Sequence, residues 1–168
     1  MAISKAQQKL KEGQEFFNAE PPDVLRAVTI FRELTLLAPN WSEGFFWLAL
    51  AQLQQSGLAE AELTFRRAIE LDPTDSRAHL WLGIGFEQAG RLDDAVRCLR
   101  AGLALKPHYG EADSRITLAG VLKKMGRIDE AVREWQVVAE MEAMYPSYDE
   151  PIQDAKRELQ SLGHAPRR

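Results

Sequence analysis

Apolar residues recur every three or four positions along most of this chain, and glycine or proline interrupts them at regular intervals. The clearest stretch begins at Ser76, breaks at Gly90-Arg91 and continues to Pro107. Its apolar positions are Leu82, Gly83, Phe86, Leu92, Ala95, Leu99, Gly102 and Leu105. This spacing predicts two helices joined by a glycine turn, with Gly83 packed against Ala95. In the loop before them, Pro73 stops the preceding helix and Asp75 or Ser76 caps the next.

The pattern repeats with a period of 34 residues. That shift superposes Trp47 on Trp81, Leu48 on Leu82, Gln54 on Gln88, Leu58 on Leu92, Ala61 on Ala95 and Pro73 on Pro107. A shift of 36 then carries residues 90–97 onto 126–133, so two extra residues lie between Lys106 and Ser114. A repeat of this length is typical of stacked helix pairs. We expect units at about 5–39, 42–73, 76–107 and 112–143.

A separate helix is expected after the last unit. Tyr145-Pro146 and the capping box from Ser147 to Glu150, followed by Pro151, provide a start signal. The segment that follows has one narrow apolar stripe, formed by Ile152, Ala155, Leu159 and Leu162. Since a stack needs a polar outer face at its end, residues 148–162 are predicted to form a capping helix. Residues 163–168 are expected to form a flexible tail.

Composition supports an all-α fold. Alanine and leucine supply 43 residues, whereas the β-branched valine, isoleucine and threonine supply 19, so helix is favoured over sheet. The length of 168 residues suits one domain. We therefore expect no sheet and a single continuous stack over residues 1–162.

Charge and chemistry exclude several functions. The formal net charge is −4 with both signs interleaved, so no basic face for nucleic acid is expected. Cys98 has no disulfide partner, and His79, His108 and His164 lack metal-ligand spacing. The first residues lack a secretory signal, and the longest uncharged run, residues 44–59, is too short and polar for a membrane span. These features predict a cytoplasmic protein.

The repeated residues resemble the tetratricopeptide repeat. The second unit matches with Phe45, Leu48-Ala49, Ala61, Phe65, Ala68 and Pro73; the third with Leu82-Gly83, Phe86, Gly90, Ala95 and Pro107; the fourth with Leu118-Ala119, Gly126, Ala131 and Trp135. The resemblance implies a right-handed superhelical solenoid of about four antiparallel helix pairs plus the capping helix. It also implies a protein-interaction module, with the first helix of each pair lining an inner groove.

Some positions depart from the family motif. Gln52 replaces the aromatic residue in the second unit, and Leu99 and Gly102 replace an aromatic residue and alanine in the third. The first unit keeps Ala27, Phe31 and Pro39, but its turn is stretched around Pro21-Pro22. The register of the first helix is therefore left open.

The inner helices carry more apolar surface than one packing face needs, which indicates that something covers it. The resemblance places that surface in the groove, and the candidate partner-binding residues are Phe46, Trp47, Leu50, Leu80, Trp81, Ile84, Lys123 and Lys124. Trp47 and Trp81 stand where chaperone-binding members of the family present Asn and Arg, which argues against a carboxylate clamp. Aromatic anchors favour an apolar or amphipathic segment of a partner protein.

The candidate binding residues and the occupant of the groove also allow other interpretations. The two tryptophans could pack between repeats, the aliphatic residues could be half-buried packing, and the lysines could be a solvated helix end. The groove could also be filled by another copy of the chain or by its own terminal helix. The sequence contains no phosphate loop, nucleophile elbow or metal triplet, so we expect neither catalysis nor a cofactor.

Overall fold

The computed structural model describes residues 2–107, 110–141 and 148–163, with side chains from residue 5 onward. All regular structure in these ranges is helical, which confirms the predicted all-α class. The helices are α1 (Ala2–Phe17), α2 (Val24–Leu37), α3 (Ser42–Ser56), α4 (Leu58–Leu71), α5 (Ser76–Gln88), α6 (Leu92–Ala104), α7 (Glu111–Lys124), α8 (Ile128–Ala139) and α9 (Asp149–Ser161). None of these helices has the length and apolar character that crossing a membrane requires.

The first eight helices form four pairs that stack in chain order, and α9 closes the stack. Each even-numbered helix packs against the odd-numbered helix before it and against the one after it. Successive odd-numbered helices also contact one another, whereas successive even-numbered helices lie further apart. Because the closer row lies on the inside of a curved stack, α1, α3, α5, α7 and α9 form the inner row. The predicted helical-repeat solenoid is confirmed.

The turns use the residues that the pattern singled out. Gly90 and Gly126, with φ of 73° and 74°, adopt the left-handed conformation between the helices of the third and fourth pairs. Asp75 caps α5, because its carboxylate accepts a hydrogen bond of 2.9 Å from the backbone N–H of Arg77. The predicted break and cap between the second and third pairs are therefore both present.

The core repeats one position on the outer helices. Phe31, Phe65, Leu99 and Trp135 are equivalent under the repeat, and all four are buried. Phe65 and Trp135, two of the residues that match the repeat motif, are 0% and 2% exposed. Leu99, in the third pair, is the smallest of these four side chains, and the third pair packs differently around it.

Two glycines allow that adjustment in the third pair. A Cβ atom at Gly83 would lie 2.8 Å from Leu99 Cγ, so Gly83 packs against Leu99 of α6. A Cβ atom at Gly102 would lie 2.6 Å from Leu80 Cδ2. Leu80 therefore packs within its own pair, against α6.

The register of α1 follows from a similar contact. A Cβ atom at Gly13 would lie 2.4 Å from the ring of Phe31, just as Gly83 lies against Leu99. Gly13 is therefore equivalent to Ala49 and Gly83. Equivalent positions in α1 and α3 are therefore 36 residues apart in sequence, because the turn before Val24 is longer than the turn at Gly57.

The last helix, α9, packs against α8 and α7. Ile152, Ala155 and Leu159 are buried and Leu162 is half-buried, as the predicted stripe requires. The predicted capping box at Ser147, the histidines His108 and His164, and the tail after Gly163 lie outside the described residues.

Candidate functional site

Trp47 lies between the first two pairs. Its ring stacks on Phe31 with centroids 5.9 Å apart and forms T-shaped contacts with Phe17 and Phe46, whose centroids lie 5.8 and 5.6 Å away. The indole N–H donates a 2.8 Å hydrogen bond to Glu43 Oε1. These contacts leave Trp47 half-buried and make it a packing residue between repeats.

Trp81 has a different environment, although it occupies the same repeat position. It is 39% exposed on the inner row. With Phe17, Leu50, Leu53, Gln54 and Gln88 it lines a pocket of about 350 Å³, which we call the central pocket. The pocket has apolar walls from α1, α3 and α5, and the two glutamine amides are its polar groups.

The other predicted apolar residues are distributed unevenly. Leu50 is buried but still lines the central pocket, and Ile84 is half-buried against the core. Phe46 is 3% exposed, between the Phe65 ring and the guanidinium of Arg77, which lies 4.5 Å from its ring centroid. Leu80 is 5% exposed, against Gly102. The structure thus brings Leu50 and Trp81 together and places Phe46 and Leu80 inside the stack.

Lys123 and Lys124 are both paired. Lys123 Nζ lies 2.8 Å from Glu158 of α9 and 5.7 Å from the centroid of the Trp135 ring. Lys124 forms an ion pair with Glu87 of α5. Each lysine therefore links α7 to a neighbouring inner helix, and the positive charge of these two candidate binding residues is neutralised by the chain's own carboxylates.

A second pocket lies at that end of the inner row. It has a volume of about 180 Å³ and is lined by Ile116, Gly120, Trp135, Asp154, Arg157 and Glu158. We call it the end pocket. Its apolar surface comes from α7 and α8, and its charged side chains come from α9.

Two carboxylates at helix starts, Asp94 of α6 and Glu130 of α8, belong to ion pairs. Hydrogen bonds from Arg127 and Arg100 lower the pKa of Glu130 to about 2. Hydrogen bonds from Arg97 and Arg91 lower the pKa of Asp94. A general acid at neutral pH needs a raised carboxyl pKa, so the lowered pKa values of these two groups suit ion pairing and not proton donation.

Cys98 lines a third pocket, of about 260 Å³, on the side of the stack formed by α4, α5 and α6. Burial raises the pKa of its thiol. The thiol is therefore protonated at neutral pH and is a weak nucleophile.

Sequence reasoning missed four residues of the central pocket: Phe17, Leu53, Gln54 and Gln88. Gln54 and Gln88 superpose under the 34-residue shift, so an identical polar pair at one repeat position was the available signal. Phe17 lies in α1, whose register the sequence leaves open. The end pocket was not predicted either, because residue 120 is a glycine and adds no apolar side chain to the pattern of α7.

Comparisons with known proteins agree with this architecture. A profile of the tetratricopeptide repeat family matches residues 23–76 and 46–110, which together cover more than half of the chain. No curated protein sequence gives a significant match.

Several solved structures share the fold. A structure titled "Functional Characterization of Pseudomonas Aeruginosa pilF" superposes with a TM-score of 0.79 at 14% identity, covering 96% of this chain and 72% of that one. A crystal structure of MamA superposes with a TM-score of 0.69 at 18% identity, covering 93% and 81%. MamA from Desulfovibrio magneticus RS-1 gives 0.70 at 16% identity, covering 91% and 76%. At these identities the likeness concerns the fold alone.

Proposed function

Because the chain belongs to the tetratricopeptide repeat family, we propose that it binds an apolar or amphipathic segment of a partner protein along its inner row, as an adaptor or scaffold. Members of this family are generally non-catalytic modules that bind other proteins. The finer proposal concerns the surface that this chain uses and the chemistry of its partner.

The central pocket is the observation that carries the proposal. Trp81 is the large aromatic side chain that stays exposed there, beside Leu50 and Leu53. An exposed indole next to an apolar pocket can bury a large area with little loss of side-chain freedom, as binding hot spots do. The surrounding groups are amides and not free charges, which suits an apolar or amphipathic segment better than a highly charged one.

A displayed library of random 16-residue peptides tests the proposal. We expect peptides selected on the full chain to contain large apolar side chains and to lose about thirtyfold or more in affinity when Trp81→Glu is introduced. Leu63→Glu is the matched control, because Leu63 is 73% exposed but lies on the outer helix α4. Equal losses in both variants, or none in Trp81→Glu, would contradict binding at the central pocket.

The same measurements address self-assembly. Light scattering on the free chain reports its mass, and the proposal expects a monomer. A stable dimer that Trp81→Glu dissociates would show that another copy occupies the groove, and it would replace the adaptor role with a self-assembling scaffold.

A further inference from the structure

The end pocket exists because one inner-row side chain is missing. Leu50 in α3, Ile84 in α5 and Gly120 in α7 occupy the same repeat position. A Cβ atom at Gly120 would meet no atom within 4 Å, whereas one at Gly83 would collide with Leu99. Helix packing therefore requires a glycine at residue 83 but not at residue 120, where it opens a space on the groove side.

The size of that space suits one side chain. The end pocket measures about 180 Å³, with Ile116 and the buried ring of Trp135 as its apolar surface. A dry apolar cavity of about 150 Å³ accommodates a benzene ring. The end pocket is open to solvent and has charged side chains on the α9 side, so a branched aliphatic or aromatic side chain from a partner fits it by volume, against Ile116 and Trp135.

The charges around the end pocket favour an uncharged occupant. Arg157 pairs with Asp154 at 3.0 Å, and Lys123 pairs with Glu158 at 2.8 Å. A charged occupant would have to compete with one of these pairs, whereas an apolar side chain can lie between them without breaking either. All three charged side chains that line the end pocket are therefore paired, and none is free to select a lysine or a carboxylate.

The central pocket favours an extended backbone. Gln54 and Gln88 are exposed at its edge, and each amide can donate and accept hydrogen bonds. An extended peptide has free backbone N–H and C=O groups for such side chains, whereas a helix satisfies its own internally. The two glutamines therefore suit an extended segment.

The distance between the pockets sets the spacing of the anchors. The part of the central pocket beside Leu50 and Trp81 lies between α3 and α5, and the end pocket lies between α7 and α9, two inner helices further along. Packed helices lie roughly 10 Å apart, so the pockets are about 20 Å apart. An extended chain spans about 3.3 Å per residue, so about six residues cover that distance.

We infer that the partner is an extended segment with two apolar side chains about six residues apart, one in the central pocket and one in the end pocket. This inference rests on the proposed function. It adds a second anchor, the spacing between anchors and the conformation of the bound segment.

Binding by the selected peptides tests the second anchor. We expect Gly120→Leu, which fills the end pocket, to weaken binding ten- to a hundredfold, the loss expected for one buried apolar side chain. Gly120→Ala is the matched control and should change affinity less than about threefold, because one methyl group leaves most of the pocket open. In Gly120→Leu, replacing the distal anchor of the peptide by alanine should have no further effect.

NMR signals of the indole N–H groups give a second readout in the native chain. Peptide binding should shift the signals of Trp81 and Trp135. Trp41, the N-cap residue of α3, lines neither pocket and is the internal reference. A peptide whose distal anchor is alanine should keep the Trp81 shift and lose the Trp135 shift. This measurement remains decisive if Gly120→Leu fails to fold.

The outcomes separate the two proposals. Peptides that lose affinity with Trp81→Glu, but neither respond to Gly120→Leu nor shift Trp135, would overturn the second anchor and leave the proposed function intact. Peptides indifferent to Trp81→Glu would overturn the proposed function itself. A dimer that Gly120→Leu dissociates would show that a second copy fills the end pocket, which also contradicts the inference.

Discussion

Gln52 occupies a core position with an unsatisfied polar atom. It lies on α3, is 7% exposed, and its Oε1 is buried without a hydrogen-bond partner. The equivalent residues in the next two pairs are Phe86 and Leu122, both buried and apolar. We therefore predict that Gln52→Met, which keeps the length and approximate volume of the side chain, stabilises the protein.

The size of the effect follows from the unpaired oxygen. A buried polar group without a partner costs about 1–3 kcal/mol, and the exchange leaves packing nearly unchanged. We expect a gain of about 1–2 kcal/mol in the free energy of unfolding. With a urea m-value of about 2 kcal/mol/M, the denaturation midpoint should rise by roughly 0.5–1 M.

Urea denaturation followed by circular dichroism at 222 nm measures this shift. Gln55→Met on the same helix is the control, since Gln55 is exposed and its exchange should stay within about 0.5 kcal/mol. If Gln52→Met lowered the midpoint by more than the control, Oε1 would have a partner, such as a bound water, and the reasoning would be refuted.

Two further predictions concern glycine packing and pH. Gly83→Ala should destabilise the fold by about 1–3 kcal/mol, because the new Cβ would collide with Leu99. Gly120→Ala should stabilise it by up to about 1 kcal/mol, because alanine favours a helix and the new Cβ meets no atom. Thermal unfolding of both variants separates the effect of packing from that of helix propensity. The pKa of Glu130 is about 2 in the folded protein and near 4.5 in the unfolded chain. Its ion pairs therefore stabilise the fold at pH values above 4.5, and this contribution is lost as the pH falls toward 2. The melting temperature of Glu130→Gln should therefore lie below that of the native chain at pH 7 and approach it at pH 2.5. A difference in melting temperature that stays constant between these pH values would contradict a stabilising role of ionised Glu130.

The helix pairs could be predicted because their signals are local. Gly90, Gly126 and Pro73 mark turns and breaks by backbone geometry alone, and the repeat confirms each position two or three times. The buried Phe65 and Trp135 followed from the same periodicity. The architecture therefore depends on short-range features that one sequence contains.

The site depends on contacts between repeats, which the period does not describe. Trp47 and Trp81 are equivalent in sequence, but Trp47 is covered by Phe17 and Phe31 of the first pair. The register of α1 is set by a tertiary contact between Gly13 and Phe31, so the position of Phe17 could not be read from spacing. Pairing of Lys123 and Lys124 with carboxylates 35 and 37 residues away was equally invisible.

The third pair also limits how the chain can diverge. Leu80, Gly83, Leu99 and Gly102 fill one another's space, since each glycine accommodates one of the two leucines. A larger residue at any one of the four would need compensating exchanges at its neighbours. The four positions are therefore expected to covary among relatives of this protein, and a unit transplanted from another solenoid would have to bring the whole set with it.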